Sequence, residues 1–227
     1  MKKLIFLLSL FAIISCEDPD NPNGARINFS GCLVCDNYAV GESFKVGGLN
    51  YMVADRIMLD VAILSGEDLT RFCTSKITSM DNLLSYQVSF NQDIGAWDVS
   101  NVDNMKMMFK SAESFNQDVS KWDVQNVIDM SEMFFDAKSF DQPLGNWNVG
   151  SVNDMGSMFQ GAVNYNKNIG DWDVSRVGNM LNMFFGATLF NQDISGWCVP
   201  NLFVTPSGFS KYSALTLSNH PVWGTCP

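Results

Sequence analysis

Histidine occurs once in this 227-residue chain, at His220 beside Pro221. An acid–base or metal centre built on imidazole therefore has only a residue in the tail to draw on, and His220 reads as a capping residue. The chain also lacks a glycine-rich phosphate loop, a His-containing metal motif and a nucleophile elbow. With no catalytic constellation in sight, it is expected not to be an enzyme. Basic residues are few, 14 against 24 acidic, and they form no run. That excludes nucleic acid as a partner and gives anionic lipid headgroups nothing to attract. Nor is there an apolar stretch long enough for a stable membrane span: the longest, Leu4 to Ile14, is broken by Ser9. What the chain does have is 46% apolar and 17% charged residues, the balance of a folded protein.

Lys2 and Lys3 followed by the Leu4–Ile14 run read as the start and h-region of an export signal over residues 1–15. The ending Ile-Ile-Ser-Cys resembles a bacterial lipobox, which implies cleavage before Cys16 and a diacylglycerol thioether on its thiol; an ordinary signal peptide is the rival reading. Removing residues 1–15 would leave 12 basic against 24 acidic residues, a net charge of −12. Residues 16–25, with Glu17, Asp18 and Asp20, read as an acidic flexible tether. Acidic residues just after the cysteine are similar to the surface-export signal of Bacteroidetes lipoproteins.

Set against itself at an offset of 25 residues, the chain falls into register. Phe90, Phe115, Phe140, Tyr165 and Phe190 align, as do Trp97, Trp122, Trp147, Trp172 and Trp197, and then Val99, Val124, Val149, Val174 and Val199. After each of the first four valines come apolar residues at i, i+3, i+4 and i+7, as in Met105, Met108, Phe109 and Ala112. That spacing predicts a two-turn helix with one apolar face, capped by Asn104, Asp129, Asp154 or Asn179. Trp97 to Val99 alternates as a short strand does. The expected fold class is an α/β repeat: a leucine-rich-repeat-like solenoid of 25-residue strand–turn–short helix units with N- and C-terminal caps. Isolated units could not bury their apolar stripes, so neighbours must cover them.

The solenoid is expected over residues 76–204. It begins with a weaker unit at Ile77, Ser79, Met80, Leu83 and Leu84 and is stopped by Pro200 and Pro206. Residues 26–75 read as an N-terminal cap, in which Gly47-Gly48 turns a hairpin between Ser43–Val46 and Leu49–Val53, and Asp55 caps a helix running to Leu64. Residues 205–227 read as a C-terminal cap. Apart from Cys16, the cysteines sit towards these ends, as in exported proteins that staple them. The pairs expected are Cys35–Cys73 and Cys198–Cys226, with Cys32 left over; Cys32–Cys73, or a redox pair of Cys32 with Cys35, are alternatives.

Repeats such as FNQDIGAWDVSNVDNMKMMFKSA and FNQDISGW resemble the BspA-like leucine-rich-repeat surface proteins, also known as the Mycoplasma-type lipoprotein repeat. The likeness runs from Ile77 to Leu202. It implies a leucine-rich-repeat-like architecture, attachment outside the cell and, as in some members, adhesion to host or matrix proteins. Methionine stands where most of the leucines are expected, and the array is short.

Asp98, Asp123 and Asp173 recur at one position of the period. Stacked carboxylates repel, so they either bond turn N–H groups or splay into water, or hold Ca²⁺ between units as weak candidates; otherwise no metal is expected. Asn91, Asn116, Asp141, Asn166 and Asn191 read as an Asx ladder satisfying turn backbone. Binding specificity is expected where the units differ. Lys106 lies in one exposed column and Lys110, Phe135 and Phe185 in another; together they are the candidate contact patch, unless the two phenylalanines pack inward.

The function expected is that of a cell-surface, lipid-anchored binding or adhesion protein using a solenoid face for protein–protein interaction. The alternative is a carbohydrate- or envelope-binding structural lipoprotein whose tryptophans stack on sugars. Expected partners are an extracellular protein or glycan and, through the anchor, the membrane; a monomer on the outer-membrane surface is expected. No cofactor is expected beyond the acyl lipid at Cys16.

Overall fold

The structure, a computed structural model, describes residues 20–227. The expected signal peptide, the lipidation site Cys16 and the first residues of the tether lie outside the described residues.

The N-terminal part is built as its sequence suggests. Strands β1 (Arg26–Ile27) and β2 (Leu33–Val34) pair antiparallel. β3 (Ser43–Val46) and β4 (Leu49–Val53) form a hairpin whose turn is Gly47-Gly48, both at positive φ. Two successive left-handed residues suit a hairpin turn and favour glycine. The Asp55 carboxylate accepts from the Met58 N–H and starts α1 (Arg56–Ser65), which Gly66 ends in the left-handed conformation. β5 (Phe72–Cys73) then adds to β4 in parallel, giving the order β3-β4-β5. A small core of Tyr38, Phe44 and Val53 surrounds the Cys35–Cys73 disulfide.

Beyond β5 the expected elements do not form. No strand–turn–helix unit is present among the described residues, and the α/β leucine-rich-repeat-like solenoid is overturned. Among the described residues the only α-helix is α1, the only sheets are the two just named, and residues 76–216 are turns joined by single-residue β-bridges. The cause lies in the backbone. Met107 and Ser111, Glu132 and Asp136, Ser157 and Gly161, and Asn182 and Gly186 all have φ between 51° and 70°. A left-handed residue every fourth position cannot belong to a right-handed helix.

What the turns gain is hydrogen-bond partners. An eight-residue helix would leave four N–H and four C=O groups unpaired, about half of its total. Here the N–H groups of Met108, Lys110 and Ala112 close turns onto Met105, Met107 and Phe109. The alternate N–H groups of Met105, Met107, Phe109 and Ser111 donate to the carbonyls of Asp129, Ser131, Met133 and Phe135, at 2.6–3.0 Å. The same alternation recurs from Met130 and from Met155. The i, i+3, i+4, i+7 apolar spacing thus serves a coil of turns, and Met105, Met108, Phe109 and Ala112 are all fully buried in it.

Each 25-residue stretch, called a tier below, stacks its rings on the next. Phe109, Phe134, Phe159 and Phe184 lie 5.4–5.7 Å apart, centroid to centroid, and Phe115, Phe140, Tyr165 and Phe190 lie 5.9–6.0 Å apart. These are ordinary distances for offset-stacked rings. The indole N–H groups of Trp97, Trp147, Trp172 and Trp197 each donate to the carbonyl 28 residues earlier, whereas Trp122 Nε1 is buried and unpaired. One continuous core runs from Cys32 to Leu215. The N-terminal part joins it where the Leu33 N–H donates to the Ala96 carbonyl.

Candidate functional site

The recurring polar columns occupy the surface of the tiers, and their first use is structural. Asn91 Oδ1 accepts from the Asn116 N–H, Asn116 from Asp141, Asp141 from Asn166, Asn166 from Asn191 and Asn191 from Thr216, all at 2.9–3.1 Å. Gln117, Gln142 and Gln192 reach back to the same residues, and Lys167 Nζ pairs with Asp141 Oδ2. The ladder bonds each residue to the next tier rather than to its own turn.

The weak calcium candidates behave differently. Asp98, Asp123 and Asp173 each accept the N–H two residues on, from Ser100, Gln125 and Ser175. Asp98 is buried while Asp123 and Asp173 are exposed. Among the described residues no group of three or more His, Cys, Asp or Glu is arranged to hold a metal ion. Hydrogen bonds from Ser120, Ser175 and Ser195 hold the carboxyls of Asp118, Asp173 and Asp193 below the usual range.

The candidate contact patch is not assembled as one open surface. Lys106, Lys110, Phe135 and Phe185 are all half-buried. Lys110 is held by Glu132, which raises its pKa, and its ammonium sits 4.8 Å from the centre of the Phe135 ring. Phe185 meets Tyr212 edge-on at 5.2 Å. Gln160 separates Phe135 from Phe185 in their column.

The cysteines form the two expected disulfides, Cys35–Cys73 and Cys198–Cys226. Cys32 is free and buried, its thiol pushed up to about 11 mainly by burial. With Cys35 bonded to Cys73, both the Cys32–Cys73 pairing and the Cys32/Cys35 redox pair are overturned. His220 packs edge-on against Phe209 and Trp223, its Nε2 lies 3.1 Å from Ser210 Oγ, and burial lowers its pKa.

The sequence model of a family described as Mycoplasma protein of unknown function, DUF285, matches residues 57–162 and 142–222. The two overlapping matches take in every tier, all of α1 but Arg56, and most of the tail. The chain belongs to this family. The DUF285 description carries no activity, and no curated protein and no solved structure matches the chain.

A feature that sequence reading missed lies where the stacking ends. Parallel bridges link Ser79, Asn104, Asp129, Asp154 and Asn179 in turn, and none continues past Asn179. Beside Asn179 the exposed side chains of Leu181, Phe203 and Val204 line a groove of about 430 Å³ together with Gly178, Met180, Pro206 and Ser207. The available signal was Pro206, which cannot donate a backbone N–H to a neighbouring tier; the backbone pairing itself shifts, Phe159 bonding to Met183, 24 residues on, and Phe184 to Phe209, 25 residues on.

Proposed function

We propose that this DUF285 protein is a cell-surface, lipid-anchored binding protein that engages other proteins. The observation that carries the reading is how its large apolar side chains are divided. The tiers bury most of theirs, while the two end parts leave many exposed: Phe29, Ile57, Val61 and Leu64 before the tiers, and Phe203, Val204, Tyr212, Leu217 and Val222 after them. Large exposed apolar side chains of this kind are characteristic of protein contact sites. Two disulfides suit an oxidising compartment. The lipobox-like Ile13-Ile14-Ser15-Cys16 and the likeness to BspA-like surface repeats supply the anchor and the place, an outer-membrane surface. Among the described residues no helix is long and apolar enough to cross a membrane.

The glycan-binding alternative needs open tryptophans. Trp97, Trp122, Trp147, Trp172 and Trp197 are at most 3% exposed and Trp223 is half-buried edge-on against Phe209, which favours protein over sugar as the partner.

The test has two arms. Cells fed a clickable palmitate should label the wild-type chain and not Cys16→Ser, and protease added outside should remove it. The purified protein, used as bait on surface extracts, should retain a defined protein partner. A chain that stays unlabelled and protected from protease, and that holds no partner, would sink the reading.

A further inference from the structure

Helix α1 is apolar on both of its faces. Leu59 and Ala62 are buried and Met58 and Ile63 pack against the core, which accounts for one face. Ile57, Val61 and Leu64, spaced i, i+4 and i+7, line up on the opposite face and are 72%, 55% and 84% exposed. A single ion pair, Arg56 with Asp60, flanks them. A helix whose outer face meets water turns charged residues to it; one that is apolar all round is covered on both sides.

The position of this face decides what covers it. Asp20 is fastened to β3: its carbonyl accepts the Lys45 N–H at 2.8 Å and its carboxylate the Lys45 ammonium at 2.9 Å. Cys16 stands four residues earlier, and four extended residues span at most ~14 Å. An acyl lipid on Cys16 therefore holds this end of the N-terminal part within ~14 Å of a bilayer. The helix lies towards the same end. It links β4 to the parallel strand β5, so it runs back along the sheet from Val53 towards the Gly47-Gly48 turn, two residues from Lys45. Leu64, the most exposed of the three, is in its last turn, and Leu49 is exposed beside the Gly47-Gly48 turn.

We infer that the Ile57, Val61 and Leu64 face of α1 lies in the headgroup–acyl boundary of the bilayer that carries the anchor. This rests on the lipid-anchored reading above and adds a docked N-terminal part to it, leaving the exposed apolar residues of the C-terminal end for protein. Area selects a lipid surface over a second protein. Three aliphatic side chains offer roughly 60–120 Å² each, far short of the ~800 Å² per partner of a stable protein interface. At a membrane the same area is enough, because a short tether makes insertion an intramolecular step at high effective concentration. The attraction is apolar: residues 20–75 carry four basic and seven acidic side chains, so anionic headgroups add nothing to it.

The test uses the full acylated protein, methyl-labelled and reconstituted in phosphatidylcholine nanodiscs. A lipid carrying a nitroxide high on its acyl chain should broaden the Ile57, Val61 and Leu64 methyl signals. It should spare Leu189 and Leu217, which are comparably exposed but lie outside the N-terminal part. The broadening should persist in high salt. Val61→Ser/Leu64→Ser, changed only at exposed positions, should lower the ratio of docked to undocked protein at least tenfold, read from the Ile57 signal.

Unbroadened α1 methyls in the acylated protein overturn the inference and leave the anchored reading standing. A dimer in sedimentation that shields the same methyls without lipid gives the face to a second copy and overturns it too. So does a Val61→Ser/Leu64→Ser bait that no longer retains the partner protein held by the wild type. A chain that carries no lipid at Cys16 brings down the anchored reading, and the inference with it.

Discussion

Asn116 Oδ1 accepts the backbone N–H of Asp141, 25 residues ahead, at 3.0 Å. The same atom takes an N–H from Gln142, and the Asn116 backbone N–H donates in turn to Asn91. One residue thus ties three successive tiers, its side chain reaching the next and its backbone the previous. Asn116→Ala should lower stability by about 1 kcal/mol, read from denaturant midpoints. Asn116→Asp should cost less, since Asp141 holds the same place in the next tier. Equal losses for both substitutions would remove the ladder as a source of stability.

Tyr165 stands where Phe115, Phe140 and Phe190 stand in their tiers, and its hydroxyl is buried without a partner. Burial raises its pKa well above the ordinary tyrosine value. Tyr165→Phe removes the orphaned group and keeps the ring stack, so it should raise stability by about 1 kcal/mol. A destabilised Tyr165→Phe protein would mean that the hydroxyl is satisfied in solution.

Asp136 is half-buried, and burial pushes its carboxyl above the usual aspartate value. A raised folded pKa favours the protonated form. The matching stability is fully present below the unfolded value and is lost as pH rises through the folded one. Asp136→Asn should therefore melt higher than wild type at neutral pH, and the gap should close as pH falls below the unfolded aspartate value. Asparagine also tolerates the left-handed backbone at this position, φ 51°. A gap that does not change with pH would assign the effect to the backbone alone.

Cys32 is buried, and its thiol is pushed up to about 11. Alkylation of the native protein at neutral pH, followed by peptide mapping, should leave Cys32 unmodified until denaturant is added, because the reactive thiolate is scarce and screened. Rapid labelling in the folded state would show that the N-terminal part opens readily.

Local chemistry was legible where a short stretch decides its own shape. The Gly47-Gly48 hairpin and the Asp55-capped helix stand where turn and capping residues predict them, the helix ending at Ser65, one residue past Leu64. The two disulfides follow the confinement of cysteines to the chain's ends. The 25-residue register likewise marked which side chains would be buried. The helices failed because the i, i+3, i+4, i+7 spacing of residues such as Met130, Met133, Phe134 and Ala137 does not reveal where their backbone bonds go. A periodic pattern reports which face is apolar, and a turn with left-handed residues at Glu132 and Asp136 presents that face as well as a helix does. The patch is less open than spacing alone suggests for a related reason: Glu132 and the Phe135 ring both engage the Lys110 ammonium, which no periodicity reveals.

By itself, the sequence determined the period, the buried columns, the hairpin and the capped helix, since each is written in residues a short distance apart or in a repeated spacing. Only the tertiary structure decided that the tiers are turns, that Asn116 bonds the next tier, and that the backbone bonding between tiers shifts from 24 to 25 residues where Asn182 meets Ser207. Those outcomes depend on which backbone group faces which across 24 or 25 residues, and one added residue before Ser207 is enough to change the partner.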